Sequence, residues 1–266
     1  MKALVINLTK STDRMEFQTK QLNSLGIEFK RLSATSIDSL EEGIYQRYYS
    51  TWERPLRESE VACFLSHKNA WEEVINNQAP MLILEDDAYL SQTTTCVLDE
   101  LATLHDIDYV TLEARGRKKI VAKRPSYALC ESSLIRLYQD RTGAAGYVLW
   151  PSGAKKLIER FQKGKMALAD AFISSTYTLQ AYQVEPATII QLDQCDAYGI
   201  TPPLNTESAI SSEAKPLTTA TRHRSYRVKR IIGQLRMGGN MISVLHKSVR
   251  KTLSLNKKSF PSIYEE

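Results

Sequence analysis

Met81 to Leu84 form an uninterrupted apolar run, and three carboxylates, Glu85, Asp86 and Asp87, follow it without a spacer. A run this short, with Pro80 before it and acids after it, reads as a buried strand. Carboxylates gathered at the end of such a strand repel one another, and some pKa values rise unless a cation is present. In open α/β sheets, ligands sit at the carboxyl ends of the strands. The cluster therefore points to a fold in which a strand opens onto a polar site. A hard divalent ion, Mg²⁺ or Mn²⁺, would relieve the repulsion, taking one or two carboxylates plus substrate phosphate oxygens. Asp87 is the expected direct contact, and Glu85 or Asp86 would hold a ribose hydroxyl or a metal-bound water. A solvated acidic turn is the bland alternative.

The rest of the chain supplies the sheet around that strand. Residues 2–8 read as a buried strand. A helix carrying Met15, Phe17, Leu22 and Leu25 follows and stops at Gly26, and Ile27 to Leu32 alternate as a second strand. Strand, helix and strand in about 30 residues make a parallel crossover unit. Between Glu58 and Asn77 the apolar residues Val61, Phe64, Leu65, Trp71, Val74 and Ile75 fall at helical spacing with one buried stripe. A helix is expected at about 95–104, and strands at 107–112, 134–138 and 147–150. A further helix starts with Pro151 in its first turn. Alternating strands and helices argue for an α/β fold with a mixed, largely parallel central sheet.

Charge divides the chain. Its 266 residues include 35 Lys and Arg and 30 Asp and Glu, a net of +5. No acid lies between Glu213 and Glu265, a stretch holding twelve bases, so residues 1–213 carry a net of −5. An acidic body joined to a basic tail suggests two jobs. The Ser-, Thr- and Pro-rich stretch 201–221 reads as a linker. The expected units are a body at 1–213, with halves at about 1–112 and 113–213, and a basic helical extension at 214–266. In the extension Val228, Ile231, Ile232, Leu235, Ile242, Leu245 and Val249 fall near helical spacing with bases between them, and Gly238-Gly239 is expected to split it into two helices. A basic amphipathic helix reads as a membrane-surface or partner-binding element, here an anionic membrane surface met through residues 222–258. No apolar stretch approaches the ~20 residues of a membrane-spanning helix, and the short N-terminal apolar run lacks a signal-peptide pattern. A cytoplasmic location follows as an expectation, with Cys63, Cys96, Cys130 and Cys195 as reduced thiols.

Four segments together resemble glycosyltransferase family 25, which includes bacterial lipooligosaccharide galactosyltransferases: NLTKSTDR (7–14), RPLRESEVACFLSHKNAW (54–71), LILEDD (82–87) and GAAGYVLWPSGAKKL (143–157). The resemblance spans roughly residues 1–200. It implies a GT-A-like nucleotide-sugar-binding fold, a UDP-hexose donor, a divalent metal and inversion at the sugar carbon. The acceptor it implies is a saccharide on a lipid A-core.

On that basis Asp87, assisted by Asp86 or Glu85, would hold the metal (Mn²⁺ or Mg²⁺). Arg14 would grip the diphosphate through paired hydrogen bonds. Asn7, Leu8 and Ser11 would frame the nucleotide, although Ser11 also suits a plain helix cap. His67 lies one helical turn after Cys63. A thiol–imidazole pair is conceivable there, a buried hydrogen-bonded His is the bland reading, and the resemblance supports a donor-site role, direct or by supporting the acidic strand. An inverting enzyme also needs a general base. Asp170 matches a family Asp in the acceptor half, with a helix cap as its alternative, and Glu113 is the second choice. Gly143 and Gly146 would let backbone approach a sugar or would only turn the chain. Two rival readings use the same features: a metal-dependent nucleotidyltransferase or phosphohydrolase built on the acids, and a nucleic-acid-binding protein built on the tail. No phosphate-loop or nucleic-acid motif supports either, and no nucleic-acid partner is expected.

Overall fold

The computed structural model describes residues 1–140, 143–204 and 220–261. In chain order the elements are β1 (Ala3–Asn7), α1 (Thr12–Ser24), β2 (Phe29–Ser33), α2 (Ile44–Tyr48), α3 (Glu58–Asn77), β3 (Met81–Glu85), β4 (Ala88–Leu90), α4 (Thr94–Leu101) and β5 (Tyr109–Thr111). There follow β6 (Lys118–Ala122), β7 (Tyr127–Leu129), β8 (Ser132–Gln139), β9 (Gly146–Leu149), α5 (Pro151–Gln162), α6 (Ala169–Ser174), β10 (Ala181–Glu185) and β11 (Ile189–Gln191). The last are α7 (Cys195–Tyr198), α8 (Ala220–Val244) and β12 (Ser248–Thr252).

A mixed sheet runs in the order β12-β6-β8-β10-β5-β9-β3-β1-β2, with β7 added alongside β8. Its parallel ladders are β2–β1–β3, which includes the predicted crossover unit, and β5–β10. The ladders of β9 with β3 and β5, and those from β10 out to β12, are antiparallel. Alternate residues of β1 feed two different cores, as a two-residue period requires. Leu4 and Ile6 join Ile83, Phe64, Trp71 and Leu157 under α3, α5 and α6. Ala3 and Val5 join Leu82, Leu84, Leu22 and Leu98 under α1 and α4. Cover on both faces explains why β1 and most of β3 read as continuous apolar runs.

α3 begins on an ionic clamp. Glu60 accepts both guanidinium nitrogens of Arg54, at 2.8 and 2.7 Å, and the backbone N–H of Arg57 at 2.9 Å. The helix ends at Gln78 in the left-handed conformation, as the predicted end near Asn77 requires.

Three expectations are corrected. Cys96 on α4 and Cys130 after β7 form a disulfide, with Cα atoms 6.1 Å apart, while Cys63 and Cys195 are free. α4 packs against β7, a proximity that widely spaced cysteines do not announce. Disulfides persist in oxidising compartments; in a reducing one these two would be thiols held side by side. Gly238-Gly239 does not divide the tail, because α8 runs through it without a break. A glycine pair costs a helix about 1 kcal/mol per residue relative to Ala, and tertiary anchors at Lys229 and Asn240 stand on either side of it. The tail is also not wholly helical, since β12 pairs antiparallel with β6 at the edge of the main sheet. The expected boundary at 213/214, and most of the 201–221 linker, lie outside the described residues.

The clamp on α3 generates a pH-dependent expectation. Burial alone would raise the Glu60 carboxyl, but the Arg54 fork and the Arg57 N–H outweigh it and hold the group below its ordinary value. A depressed carboxyl adds stability above the unfolded-state pKa and loses it as pH falls through the folded value. Glu60→Gln should lower stability at neutral pH by about 1–3 kcal/mol. The gap between variant and parent should narrow below pH about 4. Urea unfolding across a pH series measures both, and a gap that stays constant to low pH would contradict the assignment.

Candidate active site

β1 and β3 are parallel neighbours with Ile6 opposite Glu85, so Asn7 at the end of one strand reaches the acids at the end of the other. Asn7 is buried. Its amide donates to Asp86 Oδ2 at 2.8 Å and to the Ser11 carbonyl at 2.9 Å, and its oxygen accepts Arg31 Nε at 2.9 Å. Asn7, the first residue of the sequon-like Asn7-Leu8-Thr9, is thus turned inward to Asp86. Arg14, one turn into α1, donates to Asp86 Oδ1 at 3.1 Å. Burial raises the Asp86 carboxyl; Arg14 and Asn7 recover part of that shift. Gln18, a turn further on, donates to the carbonyls of Asp86 and Ala88 at 3.2 and 2.7 Å and pins the acidic turn.

Glu85 is held from two sides. Its Oε1 lies 3.1 Å from His67 Nε2, and its Oε2 accepts Gln191 Nε2 at 3.1 Å. His67 is fully buried on α3, with Nδ1 3.0 Å from the Tyr147 hydroxyl, which also accepts the Trp71 indole N–H at 2.9 Å. A carboxylate only accepts. A neutral His67 therefore carries its proton on Nε2 toward Glu85 and receives the Tyr147 proton at Nδ1. A buried, hydrogen-bonded His67 and a His67 that supports the acidic strand both fit this geometry. With both ring nitrogens engaged and burial pushing the Cys63 thiol well up, the thiol–imidazole nucleophile has no activating base.

Asp87 meets Gln191 Nε2 at 3.3 Å through both oxygens. Burial, then repulsion from Glu85 and Asp86, pushes its carboxyl up to about 7. This is a cluster short of positive charge, and its all-oxygen donor set suits a hard divalent cation. Asp87 is the carboxylate left to face such a cation, since both Asp86 oxygens already bond Asn7 and Arg14. Cys63, His67 and Glu85 offer a second, softer set, one ligand atom each and all within 4.8 Å of one another.

The remaining candidates separate. Asp170 sits in the first turn of α6 rather than at its cap, and its Oδ1 accepts the Ala171 N–H at 2.6 Å. It lines a cavity with Tyr138, Gly143, Tyr177 and Asn240. Burial, then the charge of Glu85, raises its carboxyl, which places it electrostatically beside the acidic strand. Glu113 lies just past β5 and is buried, with Oε2 accepting the Ala145 N–H at 3.0 Å. Among the described residues its Oε1 has no hydrogen-bond partner, with Arg115 Nε 4.0 Å away, and burial followed by Glu85 pushes the group up to about 8. Gly143 closes over it at φ +101°, where a Cβ would come within 2.7 Å of Oε2. Glu113 thus braces the glycine turn and does not line Asp170's cavity. Ser11 stands at the α1 cap position but makes no side-chain cap bond, and Leu8 is half-buried beside it.

Sequence reasoning missed Gln191, Gln18 and Tyr147. Gln191 arrives through the small antiparallel sheet in which β11 pairs with β4 directly after the acids. The only local signal was a short apolar run ending in a polar residue, as in β3.

Comparison with known proteins places the chain in a family. Residues 1–173 match Glycosyltransferase family 25 (LPS biosynthesis protein). A Haemophilus influenzae protein named as a glycosyltransferase is 29% identical over 160 residues, covering 58% of this chain and 56% of that one. Human procollagen galactosyltransferase 2 is 30% identical over 191 residues, covering 65% of this chain and 30% of that one. The chain thus spans little more than half, or less than a third, of these relatives. A crystal structure of a glycosyltransferase involved in glycosylation of the PBCV-1 major capsid aligns with a TM-score of 0.30 at 13% identity, covering 60% of this chain and 63% of that one. With well over half of its length inside the family match, the chain belongs to glycosyltransferase family 25.

Proposed function

We propose that the chain transfers a hexose, galactose in the first instance, from a UDP-sugar to a saccharide on a lipid A-core, with inversion at the sugar carbon. The observation that carries this reading is the cation-poor carboxylate cluster at the end of β3, fixed from four directions by Asn7, Arg14, His67 and Gln191. Galactosyltransferase names among the relatives support the sugar, and the family's description supports a lipopolysaccharide-type acceptor. The family assignment favours sugar transfer over the phosphohydrolase and nucleic-acid readings. Among the described residues no helix is long and apolar enough to cross a membrane, and a cytoplasmic site of action stays part of the proposal.

Asp87, assisted by Asp86, would hold Mn²⁺ or Mg²⁺, which would supply charge neutralisation for a departing diphosphate. The chain's own residues do the rest. Asn7 and Arg14 fix Asp86, so the acid turn is preorganised before the donor arrives. Arg14, paired with Asp86, would also meet a phosphate oxygen of the donor. Leu8 and Ser11 border the nucleotide. Asp170, with a carboxyl raised by burial and facing a cavity, is the base that takes the acceptor hydroxyl proton. Glu113 holds the Gly143–Gly146 turn beneath it.

A panel of UDP-sugars with Mn²⁺, following UDP release, tests the reading. One donor should dominate, and EDTA should abolish turnover. Asp87→Asn should lose at least about 100-fold in kcat while keeping the parent's thermal unfolding profile. Full activity in that variant, or metal-independent turnover, would overturn the site. Asp170→Asn should lose about 10²–10⁴-fold with donor affinity retained; full activity would remove Asp170 from the base role.

A further inference from the structure

Helix α8 presents a polar side to the body and an aliphatic side to solvent. Toward the body, Lys229 donates to the Ser50 carbonyl at 2.5 Å and Asn240 to the Tyr138 carbonyl at 2.9 Å. Tyr226 and Val244 are buried on that side, and a Cβ on Gly233 would run into Glu53. At about 100° per residue these five positions share one side of the helix. Val228, Ile231, Ile232, Leu235 and Ile242 occupy the opposite side, Leu245 follows in the turn just past the helix, and all six are 52% to 75% exposed. The stripe is roughly 26 Å long, and a contiguous aliphatic surface of this kind marks an interaction site.

Charge identifies what covers it. Arg224, Arg227, Arg230 and Arg236 are exposed on the same helix, and no Asp or Glu occurs between residues 214 and 264. A second copy laid stripe to stripe would set arginines against arginines, which costs free energy. An anionic bilayer accepts both features, with aliphatic side chains in the acyl boundary and guanidinium groups among the headgroups.

We propose that α8 is an interfacial helix seating the protein on an anionic lipid surface through Val228, Ile231, Ile232, Leu235, Ile242 and Leu245. Asn240, on the inner side, lines the cavity that also holds Asp170. A protein seated this way keeps that cavity within reach of a lipid-borne saccharide, a consequence that rests on the acceptor reading above. The seating itself does not.

The test is co-sedimentation of the full chain with phosphatidylcholine vesicles, with and without phosphatidylglycerol, at low and high salt. The parent should partition into the anionic vesicles and be released by salt. Ile231→Asp with Leu235→Asp should weaken partitioning roughly tenfold or more, and Arg227→Gln or Arg230→Gln roughly fivefold each. All variants should keep the parent's UDP affinity and unfolding profile. Vesicle binding by a preparation without UDP affinity would sustain the surface and sink the reaction reading. A folded parent that ignores anionic vesicles would overturn the proposal. So would equal partitioning of parent and Ile231→Asp/Leu235→Asp, or a dimer that the double variant dissociates while neither form binds vesicles.

Discussion

Mutual repulsion among Glu85, Asp86 and Asp87 is the constraint around which the surrounding fold is arranged. Three carboxylates at the mouth of one buried strand cannot all ionise cheaply without donors aimed at them. Four elements meet that demand: β1 sends Asn7, α1 sends Arg14, α3 sends His67, and β11 sends Gln191. Among the described residues one guanidinium, that of Arg14, bonds the cluster directly; Asn7 and Gln191 are neutral amides. The arrangement fixes the carboxylates in space, with Arg14 paired to Asp86 and Gln191 bonded to both Glu85 and Asp87.

The two base candidates show how environment divides identical chemistry. Glu113 and Asp170 are both carboxyls raised first by burial and then by Glu85. Glu113 is enclosed under Gly143 and bonded to the backbone of its own lid. Asp170 borders open cavity. A group that must meet an incoming hydroxyl needs the second setting, and a group that must hold a turn needs the first.

What could be read from the sequence was what local periodicity encodes. β1, α1, β2, α3, β3 and the Pro151 start of α5 all stand where spacing and caps put them. The acidic cluster was legible because Leu84 and Glu85 are adjacent in the chain. Gln191 was not, because its contact with Asp87 spans 104 residues and depends on the pairing of β4 with β11. Cys96 and Cys130 meet through tertiary packing for which their spacing gave no sign. Gly238-Gly239 looked like a breaker on local propensity, and anchors at Lys229 and Asn240 accompany its helical conformation. β12, with the sequence SVRKT, lacked the apolar run by which other strands were found, as suits a strand with one side in water.

That last strand changes what the tail is. β12 covers the open side of β6, and the segment after it continues along the body: Ser254 accepts the Ala187 N–H, Ser259 accepts the Gln92 N–H, and Phe260 enters a small core beside Tyr89. Stripping the basic segment away would therefore uncover a row of unpaired amides and carbonyls on β6, an invitation to aggregation. The charged segment is a selvedge woven into the cloth, and its loss would fray the sheet before it revealed anything about lipid.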